Sequence, residues 1–442
     1  MSSYGITKRI SHALRGGIGA VLLAIAALVG YVAIINHQPL DFQPSENPSP
    51  SVNGYPDFLR AGSMAQDMKH AFPSNDPFTS KFPDSLPNYS LAYEDARPIL
   101  ALIRTALRKP CMCPLVSSQV SNETDLTKLR NLASLIKDAA DYQYIIGHPF
   151  ESAQIRLDGM EMAAVALHGG ALKNYLASHY IDTICRRGLE KTLSKLSANQ
   201  LEAILQRLKD IESKEPGFPV IVKAEGKART NTDYHEIEKQ GDLGFWKEMY
   251  NITPLNRILH HPYPWLTYLI ENKSELLREN QRYYQLIAKE TSHSYHRQMI
   301  NRAPDNLFML DFPSKIWEEC WGKYVYDQTY HELLLVETAL YLYRIQIGRY
   351  PPSLKALVPK YIPSVPEDPF NNAPPSVPLK FPWRSYILEN SLYHNQPFHY
   401  RLESNGRAFM LYSVGPDMVD NGGKSNKSDS SASGDMVVGK GL

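Results

Sequence analysis

Residues 16–35, GGIGAVLLAIAALVGYVAII, form one uninterrupted apolar run without a charged side chain. Twenty helical residues rising ~1.5 Å each reach ~30 Å, the thickness of a bilayer's hydrocarbon core. Lys8, Arg9, His12 and Arg15 stand before the run, and no Lys or Arg follows it until Arg60. Basic flanks stay on the cytoplasmic side, so residues 1–15 are expected inside and the bulk of the chain outside the cytoplasm. A cleaved signal peptide would have a shorter apolar core, ~7–15 residues, followed by a small-x-small site. Ala33-Ile34-Ile35-Asn36 supplies no such site. The run therefore predicts an uncleaved signal anchor, a transmembrane helix over 16–35 whose first partner is the lipid bilayer of the cytoplasmic (inner) membrane. No second stretch reaches ~18 apolar residues, which makes the expected topology single-pass.

The 442 residues beyond and around this span have ordinary globular composition, 43% hydrophobic and 21% charged. That excludes wholesale disorder and a many-span transporter. Forty-seven Lys and Arg against 46 Asp and Glu give a net charge of +1, so no basic field points to nucleic acid as a partner.

Residues 36–90 read as a Pro- and Ser-rich linker, with Pro39, Pro44, Pro48, Pro50, Pro56, Pro73, Pro77, Pro83 and Pro87. Such chain favours an extended form at ~3.1 Å per residue. A short amphipathic helix near Pro56–His70 is expected to interrupt it. From about residue 91 the grammar is helical. Leu126, Leu129, Leu132, Ile136 and Ala140 follow i, i+3, i+4 steps, as do Leu157, Met160, Ala164, Leu167 and Ala171, and then Leu189, Leu193 and Leu196. Ser197-Ala-Asn-Gln200 ahead of Leu201, Ile204, Leu205, Leu208 and Ile211 is a capping-box start, and Pro216-Gly217 is a stop. Residues 91–320 are thus expected to form an α-helical domain of antiparallel hairpins or a bundle.

A long helix is expected over Tyr324–Gln346, with Leu333, Leu334, Val336, Leu340, Tyr341 and Ile345 facing inward. A Pro-rich stretch follows from Pro351 to Pro382. Phe398–Glu403 and Arg407–Val414 then alternate like strands around Ser404-Asn405-Gly406, a hairpin signal. The expected fold class is mainly α with a small α+β C-terminal domain over 321–442, a long helix plus a small antiparallel sheet.

Three sets of residues carry a resemblance. Leu340–Leu357 contains Gly348-Arg-Tyr-Pro351 at the end of a helix. Val365-Pro-Glu-Asp-Pro-Phe370 precedes Asn371-Asn372. Leu411-Tyr-Ser-Val-Gly-Pro-Asp417, Asp420-Asn-Gly-Gly423 and Gly434-Asp435-Met-Val-Val438 close the chain. Together they resemble the globular head of the major pseudopilin of type II secretion, over roughly residues 321–442. The whole layout is also similar to uncharacterised single-anchor bacterial proteins carrying such a head. The amino terminus differs from a pseudopilin leader: Gly5-Ile6-Thr7-Lys8-Arg9-Ile10 has neither the aromatic residue nor the Glu of that pattern. The head is accordingly expected to be a reused module.

The resemblance implies calcium in the loop before the last strand, and the residue types agree with it. Ca²⁺ takes six to eight hard oxygen ligands, and an acidic, Gly-rich loop supplies carboxylates and backbone carbonyls together. Asp417, Asp420, Asp429 and Asp435 are the candidate carboxylates, with Asn421 beside them; Gly415, Gly422, Gly423 and Gly434 permit left-handed turns between them. Asp417 and Asp435 match the motif best.

Other chemistry is sparse. Cys111, Cys113, Cys185 and Cys320 are open to disulfide pairing outside the cytoplasm or to burial as free thiols. His260-His261, His293 and His296 sit in no His-Glu-x-x-His motif, and His235-Glu236 and His331-Glu332 lack the second His. No nucleophile elbow, phosphate loop or dinucleotide fingerprint is present. The expected function is non-catalytic: a membrane-anchored extracytoplasmic scaffold or interaction protein with a calcium-stabilised head, linked to secretion or envelope assembly through partner proteins. The alternative is an envelope hydrolase whose catalytic His and Glu converge in the helical domain.

Overall fold

The computed structural model describes residues 21–27, 30–31, 34, 39–73, 82–114, 123–252, 273–292, 314–373, 394–425 and 434–439. It is mainly helical, with a small antiparallel sheet near the C-terminus. Residues 21–27, 30–31 and 34 are helical, and the other half of the anchor run 16–35 lies outside the described residues. Among the described residues no helix is long and apolar enough to cross a membrane. His260, His261, His293 and His296 also fall outside them.

The described helices are α1 (Tyr55–Gln66), α2 (Phe82–Ala106), α3 (Glu123–Ile145), α4 (Pro149–Ala166), α5 (Leu172–Leu193), α6 (Ala198–Lys214), α7 (Phe218–Ile252), α8 (Lys273–Glu290) and α9 (Ser314–Ile347). The strands are β1 (Glu367–Ala373), β2 (His394–Pro397), β3 (His399–Glu403), β4 (Ala408–Ser413) and β5 (Met436–Val438). The chain divides into two compact units.

The first unit comprises Met1–Ser45, Gly226–Gln285 and Arg302–Pro313. Phe42, Ile237 and Leu277 form one buried cluster in it, flanked by Leu40 and Tyr234. Polar clips hold residues 41–45 onto its helices. Asp41 N–H donates to Ser274 Oγ at 2.8 Å, Arg278 Nη2 pairs with the Asp41 carboxylate at 2.8 Å, and Asn231 exchanges two bonds with the Ser45 backbone.

The second unit joins Glu46–Glu225 and Leu286–Asn301 to Ser314–Leu442. Part of the expected spacer is docked rather than free. Asn47 donates to Gly169 O at 3.0 Å, Asn53 bonds Met112 through both its N–H and its oxygen, and Gly54 N–H reaches Pro110 O at 2.8 Å. The amphipathic helix expected near Pro56–His70 is α1, with Pro56 in its first turn. The next helix starts earlier than its apolar spacing suggests, at Phe82 instead of about 91. Pro83 causes no loss there, because first-turn N–H groups have no intrahelical acceptor anyway.

The helical core follows the apolar spacing closely. Leu126, Leu129, Leu132, Ile136 and Ala140 are buried on α3, and Leu157, Met160 and Ala164 on α4. α6 begins where the capping box predicts, with Ser197 N–H donating to Gln200 Oε1 at 3.0 Å. It buries Leu201, Ile204, Leu205, Leu208 and Ile211. Each such side chain contributes about 1.5–3 kcal/mol when fully removed from water. Charged straps cross these helices: Asp158 on α4 receives Arg104 Nε from α2 at 2.7 Å and Arg207 Nη2 from α6 at 2.5 Å.

α9 links this bundle to the sheet. Its first half packs aromatically, with Phe218 6.4 Å from Trp317 and 5.5 Å from Tyr324 between ring centroids. Its second half buries Leu333, Leu334, Val336 and Leu340 as expected. Ile345 departs from that expectation: it is 50% exposed, in the last turn of a helix that ends at Ile347. α9 also begins at Ser314, well before Tyr324.

The expected hairpin is β3–β4, antiparallel, with Glu403 opposite Ala408. Ser404, Asn405 and Gly406 all take positive φ to turn it. β5 adds on the other side of β4, Leu411 opposite Val438. β1 and β2 form a separate antiparallel pair. Phe409 on β4 sits under Tyr341 and Tyr350, at 5.8 and 4.8 Å between centroids. Asp368, fully buried, ties the strands together: it accepts from Phe370 N–H, Ser413 Oγ and Val414 N–H at 3.0, 2.7 and 2.9 Å.

Candidate functional site

The Asp- and Gly-rich loop runs from the end of β4 to β5. Gly415, Gly422, Gly423 and Gly434 take positive φ, so the turns anticipated from the glycines are formed. Asp417 accepts from Val419 N–H at 3.1 Å and from Gly434 N–H at 2.7 Å, drawing the two ends of the loop together. Asp435 accepts from Asn421, Gly423 and Lys424 N–H groups at 3.1, 2.6 and 3.2 Å. Asp420 accepts from Tyr412 Oη at 3.0 Å and Gly422 N–H at 2.8 Å, and its other oxygen lies 3.9 Å from His399 Nδ1. The Gly422 N–H holds the Asp420 carboxyl below the usual carboxylate range. A bridge between Ser425 and Gly434 closes the base of the segment that carries Asp429. Asp429 itself lies outside the described residues.

These oxygens are the hard donors that calcium prefers. In the described part of the loop each carboxylate is also a backbone cap. Among the described residues no group of three His, Cys, Asp or Glu side chains is gathered to hold a metal ion. A calcium site here would draw on Asp429 as well as on Asp417, Asp420 and Asp435.

A second constellation lies between α4, α5, α6 and α9. It surrounds a cavity of about 20 Å³, enough for one water. Tyr175, Ser178, His179 and Asp182 reach it from α5, Glu215 from the C-terminal cap of α6, and Asp327 and His331 from α9. On the α4 side Met160, Ala163 and Ala164 make an apolar wall.

Asp327 is the hub. Its Oδ2 accepts from His179 Nδ1 at 2.6 Å and from Tyr175 Oη at 3.1 Å, and its Oδ1 accepts from Arg186 Nη2 at 2.7 Å. Arg186 also pairs through Nε with Asp182. The Asp327 carboxylate can only accept, so His179 donates from Nδ1 and its ring is held in one orientation. His331, buried, donates from Nε2 to Leu208 O at 3.0 Å. Burial pushes His331 down and Asp182 up from their ordinary values. Burial, then the nearby Asp182 and Asp327 charges, push Glu215 up to about 8. A neutral imidazole, an oriented imidazole–carboxylate pair and a protonated carboxyl therefore share one small polar space.

Of these seven residues only His331 stands out in the sequence, as a His-Glu pair that lacks the second His of a metal motif. Their signal was present in register. Tyr175, His179, Asp182 and Arg186 lie on one face of α5, which continues into buried Leu189 and Leu193. Asp327 and His331 likewise continue into Leu334 and Thr338 on α9.

The four cysteines are free thiols; Cys113, Cys185 and Cys320 are buried and Cys111 is half-buried. Cys113 accepts from Asn174 Nδ2 at 3.3 Å. Burial raises all four thiols, Cys111 and Cys185 to about 12 and Cys113 and Cys320 to about 11. No protein-family model, characterised protein or solved structure matches the chain.

Proposed function

We propose that the chain is a membrane-anchored extracytoplasmic scaffold or interaction protein, tethered through residues 16–35, with a pseudopilin-like head stabilised by calcium. The observation that carries this reading is the head itself. A long helix leads through the Gly348–Pro351 turn to a three-stranded antiparallel sheet, and Asp417 and Asp435 close the loop before its last strand. Calcium, when bound, would supply charge neutralisation to Asp417, Asp420, Asp429 and Asp435 and fix the loop. The partners are envelope or secretion proteins. Gentle cross-linking of the intact anchored protein in membranes, followed by its isolation, tests the reading. Recovery of secretion or envelope-assembly components supports it, and recovery of cytoplasmic proteins alone contradicts it.

A second reading, an envelope hydrolase, is favoured by one observation: the His179–Asp327 pair beside a water-sized cavity with Glu215 as a proton donor. An oriented His–carboxylate pair is the arrangement of a general base. Turnover of chromogenic ester, glycoside or peptide substrates by the full-length chain, lost in His179→Gln, would support it.

A further inference from the structure

The cavity between α4, α5, α6 and α9 has an unbalanced charge inventory. Asp182, Asp327 and Glu215 line it, and among the described residues the cation that pairs with them is Arg186, whose guanidinium is divided between Asp182 and Asp327. Glu215 is hydrogen-bonded to Gln328, a neutral partner. Acceptors also wait there unused. Ser178, 6% exposed, lines the cavity with a hydroxyl that bonds no described residue. His331, also 6% exposed, spends its Nε2 proton on Leu208 O, so Nδ1 is a lone-pair acceptor, bonded to no described residue.

We propose that this cavity is a binding site for a primary ammonium group, which would donate its three N–H bonds to the Glu215 carboxylate, Ser178 Oγ and His331 Nδ1, with Asp182 and Asp327 as surrounding counter-charge. An ammonium head is about the size of the single water that the volume admits. It brings three donors and no acceptor, which matches the open Ser178 and His331 acceptors and the lone pairs that Gln328 leaves on Glu215. Met160, Ala163, Ala164 and Ile211 close the far side of the cavity with apolar surface, so the alkyl stem extends outward past His179 and Asp182. The mouth lies beside the His179 and Asp182 side chains, each 21% exposed. A cation also resolves the state of Glu215. That carboxyl stays protonated because burial and the Asp182 and Asp327 charges disfavour its anion, and an arriving ammonium reverses the balance. Binding is therefore coupled to release of a proton. The other groups facing the site are His179, held by Asp327, neutral His331, Tyr175 and Tyr324, and Glu212 beyond His331. The proposal stands independently of the head and of any hydrolytic activity.

The test is calorimetric titration of detergent-solubilised full-length protein with n-propylammonium chloride, in sodium buffers of two different ionisation enthalpies near pH 7. The expected result is saturable binding at one site with release of close to one proton. Glu215→Gln should abolish the proton release and weaken binding about tenfold or more, an electrostatic and hydrogen-bond loss of the usual size. Ser178→Ala, which removes a single acceptor, should weaken binding and leave the proton release intact. Thermal melts confirm that both variants are folded. Nα-acetyl-lysine amide serves as a second probe: if it binds, the site takes lysine side chains as well as free amines, and if only propylammonium binds, it takes free amines. Absence of saturation, binding without proton release, an unchanged affinity in folded Glu215→Gln, or equal competition by potassium or tetramethylammonium would each overturn the proposal.

Discussion

Asp327 on α9 and Arg186 on α5 meet at 2.7 Å, with side chains 7% and 2% exposed. This buried pair sits at the place where the helix that leads into the head crosses the bundle. The guanidinium is further held over the Tyr330 ring at 4.8 Å and paired with Asp182. Removing one partner of a buried pair leaves the other charge uncompensated, which costs about 3–5 kcal/mol. Asp327→Asn should therefore lower the urea midpoint of the full-length chain strongly, whereas Glu94→Gln, in an exposed pair with Arg97, should change it little. Equal effects in the two variants would mean that the buried network does not hold α9 in place.

The raised carboxyls set a pH dependence. Glu215 is pushed up to about 8, and burial, then Glu212, push Glu332 up to about 7. In the unfolded chain both return to the ordinary glutamate value near 4.3. Between these limits the folded state binds more protons than the unfolded state, so stability falls as pH rises from about 5 to 8. Unfolding midpoints should be higher near pH 5.5 than near pH 8, and Glu215→Gln with Glu332→Gln should flatten the slope. A stability that climbs across this window would contradict the assignment.

Close packing makes a third, local expectation. A Cβ at Gly188 would stand 1.8 Å from Arg156 Nη1, and Arg156 is buried in an ion pair with Asp141. Gly188→Ala should destabilise by about 1–3 kcal/mol or more, the range for overpacking a tight interior. Gly147, whose Cβ would meet nothing within 4 Å, tests the contrast: any loss in Gly147→Ala should reflect its positive φ and not a displaced side chain. Denaturant unfolding of the two variants measures both.

The thiols give a fourth. All four cysteines are free, and Cys113, Cys185 and Cys320 are buried. Ellman titration without reductant should count four thiols after denaturation and react slowly before it, since burial keeps each thiol protonated at neutral pH. A count of two or none after denaturation would show that disulfides form.

The helices were legible because their burial follows a single period. Leu201, Ile204, Leu205, Leu208 and Ile211 face inward on α6 as their spacing requires, and Ser197 and Gln200 close its first turn. The hairpin was legible because Asn405-Gly406 tolerates the positive φ that its turn takes. What was hidden depends on contacts between distant segments. Tyr175 and Asp327 are 152 positions apart, so no local pattern joins them. The polar residues on the buried faces of α5 and α9 break the apolar stripe, and a reading by apolar period passes over them. The head loop was visible as a set of aspartates, but not that Asp417 and Asp435 spend their oxygens on backbone N–H groups. The start of α2 was masked by Pro83 and Pro87, which suggest extended chain.

Calcium offers a fifth expectation. Free calcium about 1,000-fold above its Kd would add ~4 kcal/mol to the folded state. The melting temperature of the full-length chain should rise with millimolar calcium, and Asp417→Ala should abolish the rise. No response in the unaltered chain would remove calcium from the account.

Protease treatment of intact spheroplasts carrying the full-length protein tests the proposed tether over residues 16–35, which puts the bulk of the chain beyond the cytoplasmic membrane. Sites after residue 36 should be cut without lysis while a cytoplasmic control protein survives. Protection of the whole chain until the membrane is broken would contradict it.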